Sequence, residues 1–260
     1  MDQPQTLRSG ALETASLRWF WPVALRDGAE HARAFRLFLA LTAVTAAIIL
    51  SAMLALDRPL ALLLREHAGP VVPVFQWITR LGEARWYLFP SGVVGLAALW
   101  IRRTRTDEAI RERWRQRLLQ AGYIFAAVAG TGLAADVVKI AVGRARPKLL
   151  FAADFHGFHP LATTADLWSF PSGHATTAGA LAMALYVLWP RPWPVYLVFA
   201  LAVTASRVVI TQHYLSDALA GLYLGALGAV VLGWAAARRG YRLRPEAPSP
   251  SAIRSSSAPL

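Results

Sequence analysis

The sequence predicts an all-α polytopic membrane protein with six transmembrane helices and both termini cytoplasmic. Three observations carry this. Hydrophobic residues make up 56% of the 260-residue chain, above the roughly 45–50% apolar share of soluble domains. The apolar runs are too long and too uniform for strands alternating with amphipathic helices. Arginines and tryptophans gather at the ends of those runs, as they do at membrane interfaces.

The spans follow in order. Residues 1–34 form a cytoplasmic or interfacial segment without the short apolar core of a cleavable signal peptide. Residues 11–38 either include an interfacial helix, with Leu12, Trp19, Phe20, Trp21 and Leu25 facing lipid, or belong to a partly disordered leader. Phe35 to Leu56 is the first span, 22 residues with one charge, Arg36, and a bilayer takes about 20 helical residues. Asp57, Arg58, Pro59, Pro70 and Pro73 then break the apolar run, leaving Pro59–His67 and Val74–Leu81 as short interfacial helices. The second span, Trp86 to Ile101, is short and calls for tilt or bilayer thinning. The arginine-rich segment 102–117 leads into the third, Leu118 to Val142, and a polar loop over 143–172 follows. The fourth, fifth and sixth spans are Ala175–Trp189, Trp193–Ile210 and Tyr214–Ala237. These complete a membrane domain over 35–237, and residues 238–260, rich in Pro, Ser and Arg, read as a disordered basic cytoplasmic tail.

Charge orients this arrangement. Six spans put both termini on one side, and that side receives 18 of the 27 Lys and Arg residues, the other nine. The positive-inside rule makes the richer side cytoplasmic. The net charge of +12 would admit a nucleic-acid partner by sign alone. Its placement beside apolar runs and in the tails points instead to the membrane bilayer and anionic lipid, and no nucleic-acid binding is expected. The chain has no cysteine, which removes disulfides and thiolate metal sites.

Three polar clusters interrupt the apolar sequence between 139 and 217. They are Lys139 through Arg146-Pro147, Pro171-Ser172-Gly173-His174, and Ser206-Arg207 followed by His213 and Asp217. The predicted topology puts all three on the non-cytoplasmic side, where ionisable groups at span ends mark function. Their chemistry suits a phosphoester, whose transition state spreads negative charge over three oxygens. Lys139, Arg146 and Arg207 supply cations and Ser172 a hydroxyl. Gly173 opens a helix whose N-terminal N–H groups favour an anion. His213 and Asp217, four apart, share a helix face if the sixth helix begins near His213. The carboxylate would then fix the imidazole tautomer and leave the other nitrogen to attack phosphorus. His174 is placed to protonate the departing oxygen. Two histidines and an aspartate could also hold a metal, but the surrounding cations would repel one, so no metal and no cofactor are expected.

At these residues the sequence resembles the type 2 phosphatidic acid phosphatase family. Lys139 with six residues before Arg146-Pro147, then Pro171-Ser172-Gly173-His174, then Ser206-Arg207 with five residues before His213 and three before Asp217, match its three-part signature. The resemblance implies hydrolysis of a lipid phosphomonoester or pyrophosphate through a phosphohistidine. His213 would be the nucleophile, Asp217 its orienting partner and His174 the general acid. Lys139, Arg146, Ser172, Gly173 and Arg207 would hold the phosphate. Similar bacterial proteins act on undecaprenyl pyrophosphate, phosphatidylglycerol phosphate, phosphatidic acid or lipid A 1-phosphate, and the shared side of the three clusters puts the expected reaction at the periplasmic face of the inner membrane. A lipid phosphotransferase using the same intermediate, and a non-catalytic binder or transporter of lipid phosphates, are the alternatives.

Other polar residues have more ordinary readings. Asp136 is expected to neutralise Lys139. Arg144 either joins the basic pattern or contacts lipid headgroups. Asp154, His156, His159 and Asp166 belong to a loop that is either solvated or reads the headgroup. Gly122, Gly130 and Gly132, and Gly221, Gly225 and Gly228, suggest close helix packing.

Overall fold

The computed structural model describes residues 28–244. The greater part of the expected interfacial segment, and the chain beyond residue 244, lie outside the described residues. Within them the fold is helical.

Helix α1, Gly28–Ser51, does not stop at Asp57. It passes through a π-helical turn, Ala52–Leu56, into α2, Asp57–His67. A proline inside an α-helix lacks a donor and crowds the preceding turn. Here the wider π turn comes just before Pro59, and the helix continues. The expected separate interfacial helix at Pro59–His67 is therefore the end of one apolar stretch, Ala32–His67. Helix α3, Val72–Arg80, carries Pro73 in its first turn, where the missing N–H costs little. A break at residues 81–84 separates it from α4, Arg85–Thr104.

Helix α5, Glu108–Val142, begins ten residues earlier than the expected third span. The Asp107 side chain caps it, accepting from the Ile110 N–H at 3.1 Å. Ion pairs Arg111–Glu108 and Arg115–Glu112 line its first turns, so the arginine-rich segment is helical except at residues 105–107, between α4 and α5. A short α6, Pro147–Ala153, is followed by α7, Gly173–Leu188, α8, Trp193–Val209, and α9, Leu215–Arg238.

Four helical stretches are long and apolar enough to cross a membrane: Ala32–His67, Val72–Thr104, Glu108–Val142 and Leu215–Arg238. Helices α7 and α8 are apolar but shorter. The 16 residues of α7 reach only about 24 Å at 1.5 Å per residue, against a hydrocarbon core of about 30 Å.

The packing is that of helices in lipid, with small residues inside and large apolar ones outside. Ala127, Ala135, Ala178, Ala180 and Ala229 are fully buried, while Phe89, Leu96, Leu133 and Val137 are exposed. Helices α7 and α9 form the most extensive pair. Gly225 lies against the Thr176 backbone and Gly221 against that of Ser172, so neither position has room for a methyl group. Gly228 lies against the side-chain methyl of Thr131 in α5. The glycine expectation thus holds for α9. It fails for Gly122, Gly130 and Gly132, which have open space where a side chain would go.

The segment after α9 is ordered further than expected. Leu243 is buried against Tyr123, Val187 and Leu188. Gln116 donates to the Leu243 carbonyl at 2.8 Å, and Arg244 donates to the Val187 carbonyl at the end of α7. Disorder starting at residue 238 is therefore corrected for residues 239–244.

Candidate active site

The last turn of α5 presents Lys139, whose Nζ donates to Asp136 Oδ1 at 2.7 Å, the pairing expected from their spacing. Gly143 ends the helix in the left-handed region, φ 61°, packed so closely on the His159 carbonyl that a methyl group would collide. That turn sends Arg144 and Arg146 inward. Backbone bonds from His159 N to Gly143 O, 2.7 Å, and from Ser169 N to Arg144 O, 3.0 Å, tie the 143–172 loop over them.

Ser172 stands immediately before α7, Gly173 opens it, and His174 follows in its first turn. A methyl on Gly173 would lie 3.1 Å from Lys139 Nζ, so the first two clusters touch. Ser172 N donates to Asp217 O at 3.0 Å, which joins the second cluster to the third. Arg207, near the end of α8, is 7% exposed and donates through Nη1 to Thr79 Oγ1 at 2.8 Å. On the same side, Gly82 packs directly on the His174 ring and Cβ.

His213 lies in the turn between α8 and α9 and is 3% exposed. Its Nδ1 sits 2.8 Å from the Ser169 carbonyl. A carbonyl only accepts, so Nδ1 carries the proton and Nε2 keeps its lone pair. The expected Asp217 contact is not a hydrogen bond, because Oδ2 is 3.8 Å from Nδ1. That oxygen is already engaged by Ser169 Oγ at 2.6 Å and Tyr214 N at 2.9 Å. Asp217 thus holds Ser169, and the Ser169 backbone holds the imidazole.

Behind Asp217 is a buried ion network centred on Arg144. Arg144 Nη1 donates to Asp217 Oδ1 and Ser216 Oγ, both at 2.6 Å, and Nη2 donates to Asp57 Oδ2 at 2.7 Å. Its guanidinium also stacks 4.5 Å from the Tyr214 ring centroid. Arg144 is 3% exposed, which corrects the lipid-headgroup alternative. Burial alone would lower its pKa, but the carboxylates of Asp217 and Asp57 outweigh that and raise it, so it stays charged.

The electrostatics around His213 have the opposite sign. Burial first, then the charges of Arg207 and Arg146, hold its pKa well below the usual imidazole range, so the ring is neutral. The Ser169 hydrogen bond opposes this only in part, and Lys139 adds to the lowering. The same three cations surround His174. Three buried donors among them, Ser172 Oγ, Arg146 Nε and Arg207 Nε, have no hydrogen-bond partner among the described residues. Buried donors are rarely left unpaired. A tetrahedral oxyanion is the ligand that cations and free N–H and O–H groups together would take.

Two of the remaining loop residues, both carboxylates, form ion pairs. Asp154 pairs with Arg58 at 3.0 Å and Asp166 with Lys148. Ser169, Asp57, Thr79 and Gly82 were not anticipated. For Asp57 a signal existed, since an acid within a long apolar helix is costly unless it has a partner and a task.

Comparisons with known proteins give the family. Residues 120–241 match the PAP2 superfamily. The chain is 32% identical over 208 residues to a lipid A 1-phosphatase of Rhizobium johnstonii, covering 77% of this chain and 82% of that one. It is 31% identical over 211 residues to a lipid A 1-phosphatase of Rhizobium etli, covering 78% and 88%. The crystal structure of a transmembrane PAP2-type phosphatidylglycerolphosphate phosphatase from Bacillus subtilis superposes with a TM-score of 0.54. That comparison is at 24% identity and covers 78% of this chain and 96% of the other. The chain belongs to the PAP2 superfamily and is a bacterial membrane lipid phosphatase.

Proposed function

We propose that this phosphatase removes the phosphate of a glycolipid of the lipid A 1-phosphate class, through a phosphohistidine formed on His213. The reaction class is carried by one observation. Ser172 Oγ, Arg146 Nε and Arg207 Nε are buried donors without partners, gathered about a neutral histidine whose Nε2 holds a lone pair. The substrate class rests on the two rhizobial relatives.

In this reading Nε2 attacks phosphorus while Lys139, Arg146 and Arg207 take the charge of the non-bridging oxygens. Gly173 lets Lys139 and the α7 N-terminus approach the same oxygens. Burial first, then Arg207, Lys139 and Arg146, lower the His174 pKa to about 4. The ring must therefore take up a proton as the substrate's negative charge offsets those cations. The phosphorus–oxygen bond to the lipid then breaks, and His174 gives that proton to the departing oxygen. Water, deprotonated by the same His174, then releases phosphate and restores both histidines. Asp217 acts through Ser169, keeping the proton on Nδ1. No step calls for a metal. Six spans with cytoplasmic termini would put the site on the periplasmic face of the inner membrane. The uneven distribution of Lys and Arg supports that orientation.

The test uses purified protein in detergent with EDTA. It is offered lipid A 1-phosphate beside phosphatidylglycerol phosphate, phosphatidic acid and undecaprenyl pyrophosphate. The expected result is phosphate release fastest from the lipid A substrate, an acid-labile phosphoprotein on rapid quenching, and neither with His213→Ala. Undiminished release by His213→Ala would refute the mechanism, and loss of release on chelation would point to a metal. Transfer of the label to an added lipid, in place of water, would make the enzyme a phosphotransferase. Binding without any release would make it a carrier.

A further inference from the structure

Asp57 sits where the π turn meets α2, far along the chain from the three signature clusters, and is 3% exposed. Each of its oxygens is used. Oδ1 accepts from Ser216 N at 2.9 Å, and Oδ2 accepts from Ser216 Oγ at 2.5 Å and Arg144 Nη2 at 2.7 Å. The bond from Ser216 N has a specific meaning. Ser216 lies in the first turn of α9, whose leading N–H groups have no intrahelical acceptor. A carboxylate from another helix supplies one, and negative charge at a helix N-terminus is favourable.

We infer that Asp57 is a positioning residue for His213: it anchors the first turn of α9 and divides Arg144 with Asp217, whose other oxygen holds Ser169. This rests on the phosphatase reading given above. The route is short and continuous. Asp57 fixes Arg144 and Ser216, Arg144 fixes Asp217 Oδ1, Asp217 Oδ2 holds Ser169 Oγ, and the Ser169 carbonyl receives Nδ1–H.

Charge gives Asp57 a second effect. Two carboxylates share one guanidinium, so the Asp57–Arg144–Asp217 group carries a net negative charge behind the imidazole. The ring gains positive charge as Nε2 bonds to phosphorus. A buried negative group nearby favours that state more than the neutral ring before attack, and such an interaction raises kcat rather than tightening binding.

The experiment compares wild type with Asp57→Asn, which keeps the shape and an oxygen for Ser216 while removing the charge. Turnover of lipid A 1-phosphate and short-chain phosphatidic acid is measured in detergent. Nitrogen NMR of the His213 imidazole, assigned by its loss in His213→Gln, is recorded on the same preparations. The expected outcome is a kcat lower by about tenfold with KM changed by less than about twofold, together with a smaller fraction of His213 protonated at Nδ1. Asp57→Glu, which keeps the charge, recovers part of the kcat. If Asp57→Asn does not fold, Asp57→Glu is read alone. A fall of about threefold in kcat at constant KM supports the inference, and wild-type kcat overturns it. Unchanged kcat and unchanged imidazole signals in folded Asp57→Asn also overturn it. If wild type turns over neither lipid yet Asp57→Asn alters the His213 signals, the substrate reading fails and the positioning role stands.

Discussion

Two groups of buried arginine flank His213 and differ in how their hydrogen bonds end. On the Nδ1 side, both terminal amino groups of Arg144 are held by the carboxylates of Asp57 and Asp217. Nε is without a partner in Arg144 as it is in Arg146 and Arg207. On the phosphate side, though, the side-chain partner of Arg207 is the neutral Thr79 hydroxyl, no carboxylate hydrogen-bonds either guanidinium among the described residues, and the Ser172 hydroxyl is unpartnered. The carboxylates keep Arg144 charged against burial, whereas burial lowers the pKa of Arg146, opposed by Asp166 and Asp217. One residue type therefore does two jobs, told apart by what surrounds it. The matched side fixes geometry. The under-matched side keeps donor capacity for a substrate anion. The two are coupled through Asp217, which belongs to the matched side and bears on the histidine through Ser169.

The largest effect should come from breaking the matched side. Arg144→Met leaves Asp57 and Asp217 as two buried carboxylates without a cation. Removing one partner of a buried ion network costs about 3–5 kcal/mol. A marked fall in the unfolding temperature in detergent is the expected outcome, with activity lost because the fold around α9 is lost. An unfolding temperature equal to wild type would show that the network contributes nothing net, and the comparison would collapse.

The under-matched side should respond the other way. Arg207→Gln removes a cation that the proposed mechanism assigns to the phosphate and leaves no carboxylate stranded, so stability should change little. Removing a donor of this kind costs about 10²–10³ in kcat. The same variant tests the electrostatics by pH. In the proposed mechanism His213 attacks only when neutral, and its pKa is lowered by burial first and Arg207 second. Activity is then lost as pH falls through a value well below the ordinary imidazole range. Without Arg207 the acid limb of kcat/KM should move to higher pH. A limb that stays in place or moves lower would show that Arg207 does not act on the histidine.

Why one side was legible in the sequence and the other was not follows from the same contrast. Lys139, Arg146, Arg207 and the two histidines are chemically restricted, stand at apolar run ends and keep readable spacing. Ser169 orients His213 through a backbone carbonyl, which every residue has, so its identity carried little signal. Asp57 followed a 22-residue apolar run and read as the end of a span, because a π turn that carries a helix past Pro59 has no composition of its own. Asp217 was identified, but its contact was not. Four-residue spacing brings side chains near one another, and competition from Ser169 and Tyr214 decides which hydrogen bond forms. The glycines divide similarly. Spacing shows where helices could approach, and the packing partner decides whether Gly225 or Gly130 is the one that meets a backbone.

The smallest effect concerns which side α3 belongs to. Thr79 accepts from Arg207 Nη1 at 2.8 Å, so α3 supports the under-matched side from outside the signature clusters. Thr79→Val keeps the branched shape and removes the acceptor. A net hydrogen bond is worth about 0.5–1.5 kcal/mol, so kcat/KM should fall by roughly two- to tenfold. If the hydroxyl only holds Arg207 in its resting orientation, phosphate contacts in the bound state replace it. KM would then rise while kcat stays constant. If it also fixes the guanidinium against the transition state, kcat falls as well. Wild-type values for both would place α3 among the surrounding packing and leave the cradle to the three clusters alone. A fall in kcat would extend the site to a helix that shares no signature residue with it.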